Sequence, residues 1–211
     1  MQTVCVIGEG SRSVVDKLAG RLADAREGRV ATVDCTVDAV TAGTDEFELD
    51  GDGHWRGRGT GRSPVELLDS LAGDYAYAVV AGLSHHRLPT VAVGDVEPAP
   101  SAPVVARAPS AAEVAIDEIV DAVDEFDPHI TLETLVDRAK ASPRADRSGA
   151  IATFTGRVRA KDSPNDARTE QLSFEKYEGV AEQRLASISE ELTHREGVFE
   201  VLMHHRVGLI E

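Results

Sequence analysis

No run of about 18 apolar residues occurs in this 211-residue chain, so nothing in it reads as a membrane-spanning helix. The opening residues MQTVCVIGEG are apolar but lack a basic start and a small-residue cleavage site. They point to a first strand rather than a signal peptide. Lysine is scarce: Lys17, Lys140, Lys161 and Lys176 are the four among 22 basic residues. Against these stand 37 acids, giving a formal net charge of −15. Such a surface repels nucleic acid and anionic lipid, which argues against both as general partners. An acid-rich, lysine-poor composition fits a high-salt cytoplasm, where screening shortens the reach of self-repulsion; an ordinary acidic cytosolic protein is the alternative. Cysteine is scarce too. Cys5 and Cys35 lie in the strand-like runs TVCVIG and ATVDCTV and are expected as small buried groups. A disulfide between them would require those two strands to be neighbours.

The charge is uneven. Residues 96–127 carry eight acids against one arginine, whereas residues 128–211 carry 14 acids against 12 basic residues. An anionic ligand therefore meets least repulsion in the last third of the chain.

Residues 3–7 read as a buried strand, followed by a turn at Gly8 and Gly10. Val14, Val15, Leu18, Leu22 and Ala23 recur at helical spacing, which predicts a helix over about 13–26. A second strand is expected over 30–37. Strand, tight turn, helix and strand make a βαβ unit and imply a parallel sheet. From Thr41 to Ser63 the chain reads as an exposed loop or edge hairpin. A helix over 64–72 opens on Pro64, a residue suited to a first turn, and strands follow at 75–83 and 90–94. The Pro- and Ala-rich stretch 97–112 is a linker or an irregular strand-bearing loop. A helix over 111–126 puts Ile116, Ile119, Val120, Val123 and Phe126 on one face. Asp127-Pro128-His129 breaks it and marks a domain boundary. Beyond it the pattern predicts a helix at 132–139, strands at 149–159 and 170–177, a helix at 179–195 and a strand at 199–208. The expected fold class is α/β: a βαβ P-loop-like parallel-sheet domain over 1–127, then an α+β domain over 128–211.

Glycines between a strand and a helix commonly bind phosphate through free backbone amides. A full phosphate loop is G-x-x-x-x-G-K-[ST]. Here Gly8-Glu9-Gly10-Ser11-Arg12-Ser13 is three residues too short, has no lysine, and sets Glu9 where a phosphate would lie. Together with Tyr75–Gly82 and LPTVAVGD (88–95), this layout resembles the molybdopterin-guanine dinucleotide biosynthesis adaptor, MobB. The acid that this family has before the glycine is Ala81 here. The resemblance implies a degenerate domain, kept for its fold or for a partner surface and not for nucleotide hydrolysis.

Three blocks further on, GAIATFTGRVR (149–159), SFEKYEGVAEQRL (173–185) and VLMHHRVGLIE (201–211), are similar in order and spacing to the large subunit of molybdopterin synthase, MoaE. The resemblance implies a hammerhead-like fold and sulfur transfer to cyclic pyranopterin monophosphate. The donor would be the thiocarboxylated C-terminus of a small ubiquitin-like partner, the MoaD-like subunit, and a homodimer of large subunits is expected. No metal or cofactor is needed for that step. Both reactants are anions, and arginine suits phosphate because its planar fork can bind two oxygens. On a strand, Arg157 and Arg159 would leave the same face. From the residues alone a solvated strand face is the favoured reading; by the resemblance, Arg157, Val158 and Arg159 bind substrate, with Arg159 foremost.

The same resemblance places the family's catalytic His-Arg pair and two lysines beyond Glu211, and Lys140, Lys161 and Lys176 do not stand for them. The last strand is then expected as an exposed edge. His204 and His205 are adjacent and cannot share one ion on a strand, so one buried and one exposed histidine is expected rather than a metal site. His205-Arg206 matches the family's structural HRxG turn. His85 and His86 are expected in a loop. Two readings stay open: a sulfur-transferring enzyme fused to a degenerate adaptor, and a non-enzymatic module that docks the partner or the cofactor.

Overall fold

The computed structural model describes residues 1–36, 46–53, 55–156, 159–161, 163–169, 172–174, 179–206 and 208–210. β1 (Gln2–Gly8) leads through Gly10, which has a left-handed backbone, into α1 (Ser11–Ala25), and the chain returns in β2 (Val30–Asp34). Then come a hairpin of β3 (Glu46–Leu49) and β4 (Trp55–Arg58), α2 (Pro64–Leu71), β5 (Tyr77–Ala81), β6 (Thr90–Val93) and β7 (Val104–Ala108). α3 (Ile116–Ala122) runs on into a 3-10 turn, and α4 (Leu132–Lys140), β8 (Leu172–Phe174), α5 (Val180–Thr193) and β9 (Gly208–Ile210) complete the order.

Five strands form one parallel sheet in the order β2-β5-β1-β6-β7. The protein is thus α/β, as the βαβ pattern predicts. Central strands of a parallel sheet are covered on both faces and read as unbroken apolar runs. Val4–Ile7 and Val79–Ala81 are accordingly all buried. One face carries Val4, Val6, Val79, Val91 and Val93 against Val14, Leu18 and Leu22 of α1, Ile119 and Val120 of α3 and Val123 of the 3-10 turn after it. The other carries Cys5, Ile7, Val33, Val80 and Ala92 against Leu68 of α2. Burial of roughly ten such side chains contributes on the order of 1.5–3 kcal/mol each before conformational entropy is set against it.

Local signals place the helices. Ser63 and Glu66 close a reciprocal capping box at the start of α2, with Pro64 in its first turn. α3 begins five residues later than its periodicity predicts. The backbone N–H of Glu113 instead bonds the carbonyl of Ser110 at 3.1 Å, and Val114 drops into the core. The Pro/Ala-rich stretch does bear a strand: β7 pairs parallel with β6 behind Pro103, at the sheet edge where a missing N–H is tolerated. The 41–63 region holds a hairpin, but its two strands form a sheet of their own and do not extend the edge of the five-stranded sheet.

The expected strands of the last third differ more. Residues 149–156 are irregular, with Phe154 96% exposed, and 199–206 are irregular too. Within the expected strand at 170–177 lies β8, which pairs antiparallel with β9, a three-residue strand that meets the expected strand at 199–208 only at its last residue, Gly208. A strand exists only where a partner takes its backbone groups, and among the described residues none lies alongside 149–156 or 199–206. The exposed edge expected at 199–205 is therefore not a strand. The cysteines are free: Cys5 lies on β1, Cys35 follows β2, and β5 runs between those strands. Burial pushes the Cys5 thiol up to about 11, while its sulfur donates to the Leu83 carbonyl at 3.6 Å.

Candidate functional site

The turn after β1 sits where a parallel sheet usually offers a ligand crevice, beside the carboxyl ends of β1 and β6. Here the two glycines of the turn are closely packed. Gly8 has φ of +100°, and a Cβ on it would stand 1.9 Å from the Val93 carbonyl oxygen and 3.1 Å from a methyl of Val96. A Cβ on Gly10 would stand 2.9 Å from Ala111. The nearby cation, Arg12, is already engaged by Asp34 of β2. Hydrogen bonds from the hydroxyl and N–H of Thr36 hold the Asp34 carboxyl below its usual range.

A cleft of about 700 Å³ opens in the last third. Leu132, Leu135, Val136 and Ala139 of α4 form one wall, residues 148–154 a second and residues 197–202 a third. The α4 side chains share a face because they recur at helical spacing, and Thr131 caps the helix by accepting from the N–H of Thr134 at 3.1 Å. Lys140 and Arg144 bring positive charge to the rim. Lys140 is shared with Asp137 at 2.9 Å. The third wall is pinned by the Ser189 hydroxyl of α5, which donates to the Val201 carbonyl at 2.7 Å, and by Arg147 stacked over the Phe199 ring at 4.9 Å. A mostly apolar recess with a few cations suits a small, partly hydrophobic anion.

Next to that wall lies an ionic cluster that joins distant parts of the chain. The Arg206 guanidinium forks onto Asp69 of α2, with nitrogen–oxygen distances of 2.5 and 3.2 Å, and donates to the Ile130 carbonyl at 3.3 Å. The His129 Nε2 lies 2.7 Å from the same carboxylate. Burial pushes Asp69 up, but hydrogen bonds from Arg206 and then His129 outweigh it and hold the carboxyl below its usual range. Burial, more than the opposing pull of Asp69, depresses His129 below its usual value. His129 is thus neutral near pH 7 and donates its ring N–H.

Of the sequence-predicted substrate residues, Arg159 is exposed, five residues past the cleft-lining Phe154. Arg157 and Val158 lie outside the described residues, so the shared strand face expected of Arg157 and Arg159 does not bear on the described structure. Lys161 reaches the Pro164 carbonyl at 3.5 Å, and Lys176 is outside the described residues. His204 and His205 are both exposed, not one buried and one exposed, because this segment is irregular and not pleated. Among the described residues no group of three or more His, Cys, Asp or Glu could hold a metal ion. His85 and His86 occupy the turn after β5, as expected of loop residues. Sequence reasoning missed Asp69 and His129. Sixty residues separate them, and each reads locally as an ordinary helix-surface or helix-breaking residue.

The MoaE protein family matches residues 127–211. A probable molybdopterin synthase of Haloferax volcanii is 46% identical over 217 residues, covering all of this chain and 80% of that relative. The molybdopterin synthase catalytic subunit of Halalkalibacterium halodurans is 35% identical over 82 residues, 39% of this chain and 49% of that subunit. That of Escherichia coli K12 is 36% identical over 63 residues, 30% of this chain and 41% of the subunit. The match thus spans about half or less of either bacterial relative. No solved structure matches the chain. The resemblance of residues 1–127 to the MobB adaptor has no counterpart among these relatives, but the Haloferax protein is similar across that region as well. On the identity and coverage of that relative and the family match over its last 85 residues, the chain belongs to the MoaE family, the molybdopterin synthases of molybdenum cofactor biosynthesis.

Proposed function

We propose that this chain transfers sulfur from the thiocarboxylated C-terminus of a small ubiquitin-like MoaD-type subunit to cyclic pyranopterin monophosphate, forming molybdopterin. The observation that carries the reading is the run of GAIATFTGRVR, SFEKYEGVAEQRL and VLMHHRVGLIE inside the region matched by the MoaE family. The 700 Å³ cleft supports it: its volume suits a phosphorylated ring, and its rim carries Lys140 and Arg144. In this reading residues 128–211 form the synthase part, with Arg157, Val158 and Arg159 contacting the substrate phosphate and large subunits pairing as a homodimer. Residues 1–127 form a MobB-like part whose phosphate loop is degenerate, being three residues short and without a lysine, with Glu9 where a phosphate would lie.

The test mixes the native full-length protein with thiocarboxylated partner and pterin and follows the fluorescent oxidised product of molybdopterin. Product should form, and Arg159→Ala should raise the KM for the pterin about tenfold, the loss of one charge-assisted contact. Tight partner binding with no product would favour the docking-module reading instead. In this reading the charge of −15 suits a high-salt cytoplasm, with an ordinary acidic cytosolic protein as the alternative. Molar KCl should then raise the melting temperature; a melting curve flat in KCl would end that part of the proposal.

A further inference from the structure

The carboxylate that receives Arg206 does not belong to the region matched by the family. Asp69 lies on α2, 137 residues before Arg206, whereas Arg206 and His129 both fall within residues 127–211. Asp69 uses both oxygens, one shared by Arg206 and His129 and the other taken by Arg206 alone. Its side chain is 37% exposed and those of Arg206 and His129 are 38% and 13% exposed, so this is no solvent-flung surface pair. The surrounding backbone is tied down at the same place. The His129 N–H donates to the Met1 carbonyl at 2.8 Å, and Ile130 and Thr131 are buried.

We propose that Asp69 is the anchor by which residues 1–127 position the MoaE-family half, acting through Arg206 on residues 197–206, the cleft wall and its continuation. That stretch forms no strand among the described residues, so side-chain ties must set its place. The Ser189 hydroxyl and the Arg147–Phe199 stacking hold its start, and the fork onto Asp69 holds its end. An isolated exposed ion pair contributes little, but a bidentate one with a further carbonyl acceptor fixes geometry as well as distance. Removing the carboxylate would leave the Arg206 guanidinium without its counter-charge and the His129 ring N–H without its acceptor. The N-terminal half then has a task that needs no nucleotide: it supplies the synthase part with a rigid platform on a well-packed sheet.

Trypsin reports the anchor directly, because Arg206 must leave Asp69 to enter the protease. In the native full-length chain, release of the peptide after Arg206 is measured against cleavage after the exposed Arg195, with global stability followed in urea. Asp69→Asn should raise that ratio about tenfold with the urea midpoint little changed, and Asp69→Glu should restore slow cleavage. An unchanged ratio in Asp69→Asn, or a rise that Asp69→Glu fails to reverse, overturns the anchor. The positioning role, which rests on the sulfur-transfer reading, predicts a KM for pterin about tenfold higher in Asp69→Asn with kcat within twofold. If the cleavage ratio responds while the unaltered protein makes no product, the anchor stands and the sulfur-transfer reading falls.

Discussion

From Thr3 to Thr131 the chain buries residues on both faces of a five-stranded sheet, whereas from Leu132 to Arg206 no described side chain is buried. Both regions contain helices that close with their own caps: Ser63 on α2, Thr131 on α4. The difference lies in the strands. β1, β5 and β6 find each other across 70 to 90 residues, whereas 149–156 and 199–206, equally strand-like in sequence, find no neighbour among the described residues. Helices draw on contacts four residues away, and strands draw on whatever part of the fold lies alongside.

Paired substitutions can break that comparison. The largest effect is expected in the sheet core. Leu18→Ala, at a fully buried position on α1, should cost about 2–5 kcal/mol in urea unfolding, against about 1 kcal/mol for Leu135→Ala on half-covered α4. Equal costs would mean that the last third has a core comparable to the first.

Glycines give a second pair. Gly8→Ala forces a Cβ to 1.9 Å from the Val93 oxygen at a positive φ and should cost about 2–3 kcal/mol; Gly156→Ala meets nothing within 4 Å and should stay within about 0.5 kcal/mol.

Acid should act more gently, through the cluster that joins the two regions. His129 has its folded pKa below its ordinary value of 6.5, so the folded chain resists the proton and stability falls as pH drops below about 6.5. Asp69 is also depressed, so its contribution is lost only as pH falls below 3.8. Urea midpoints between pH 7.5 and 5.5 should therefore decline, and His129→Gln should flatten the decline. His204 is also held below its ordinary value, by partial desolvation and then by Arg206, so it acts in the same direction and His204→Gln is the companion control. The smallest effect concerns the thiols: with its pKa near 11, Cys5 should resist iodoacetamide in the folded protein and react once urea unfolds it.

Much of the fold could be read from residues alone wherever pattern and neighbour agree. TVCVI is apolar on both sides because a central parallel strand is covered on both sides. Val14, Val15, Leu18 and Leu22 share one face and meet the sheet with it. The strands expected over 149–159 and 199–208 are absent from 149–156 and 199–206 for the opposite reason, since alternation specifies a face but not a partner, whereas the strand expected over 170–177 is present as β8. The site was legible as a family motif and not as a geometry. His205-Arg206 could be matched to the HRxG turn, yet nothing in the linear order of residues says that the Arg206 charge rests on a helix made 137 residues earlier.

The strand order has a consequence for synthesis. β1 occupies the middle of the sheet, yet β6, one of its two neighbours, begins only at Thr90. At roughly 5–20 residues per second, the hydrophobic stretch Thr3–Ile7 leaves the ribosome about 4–16 s before its second neighbour exists. During that wait α1, already emerged, can cover one side of it.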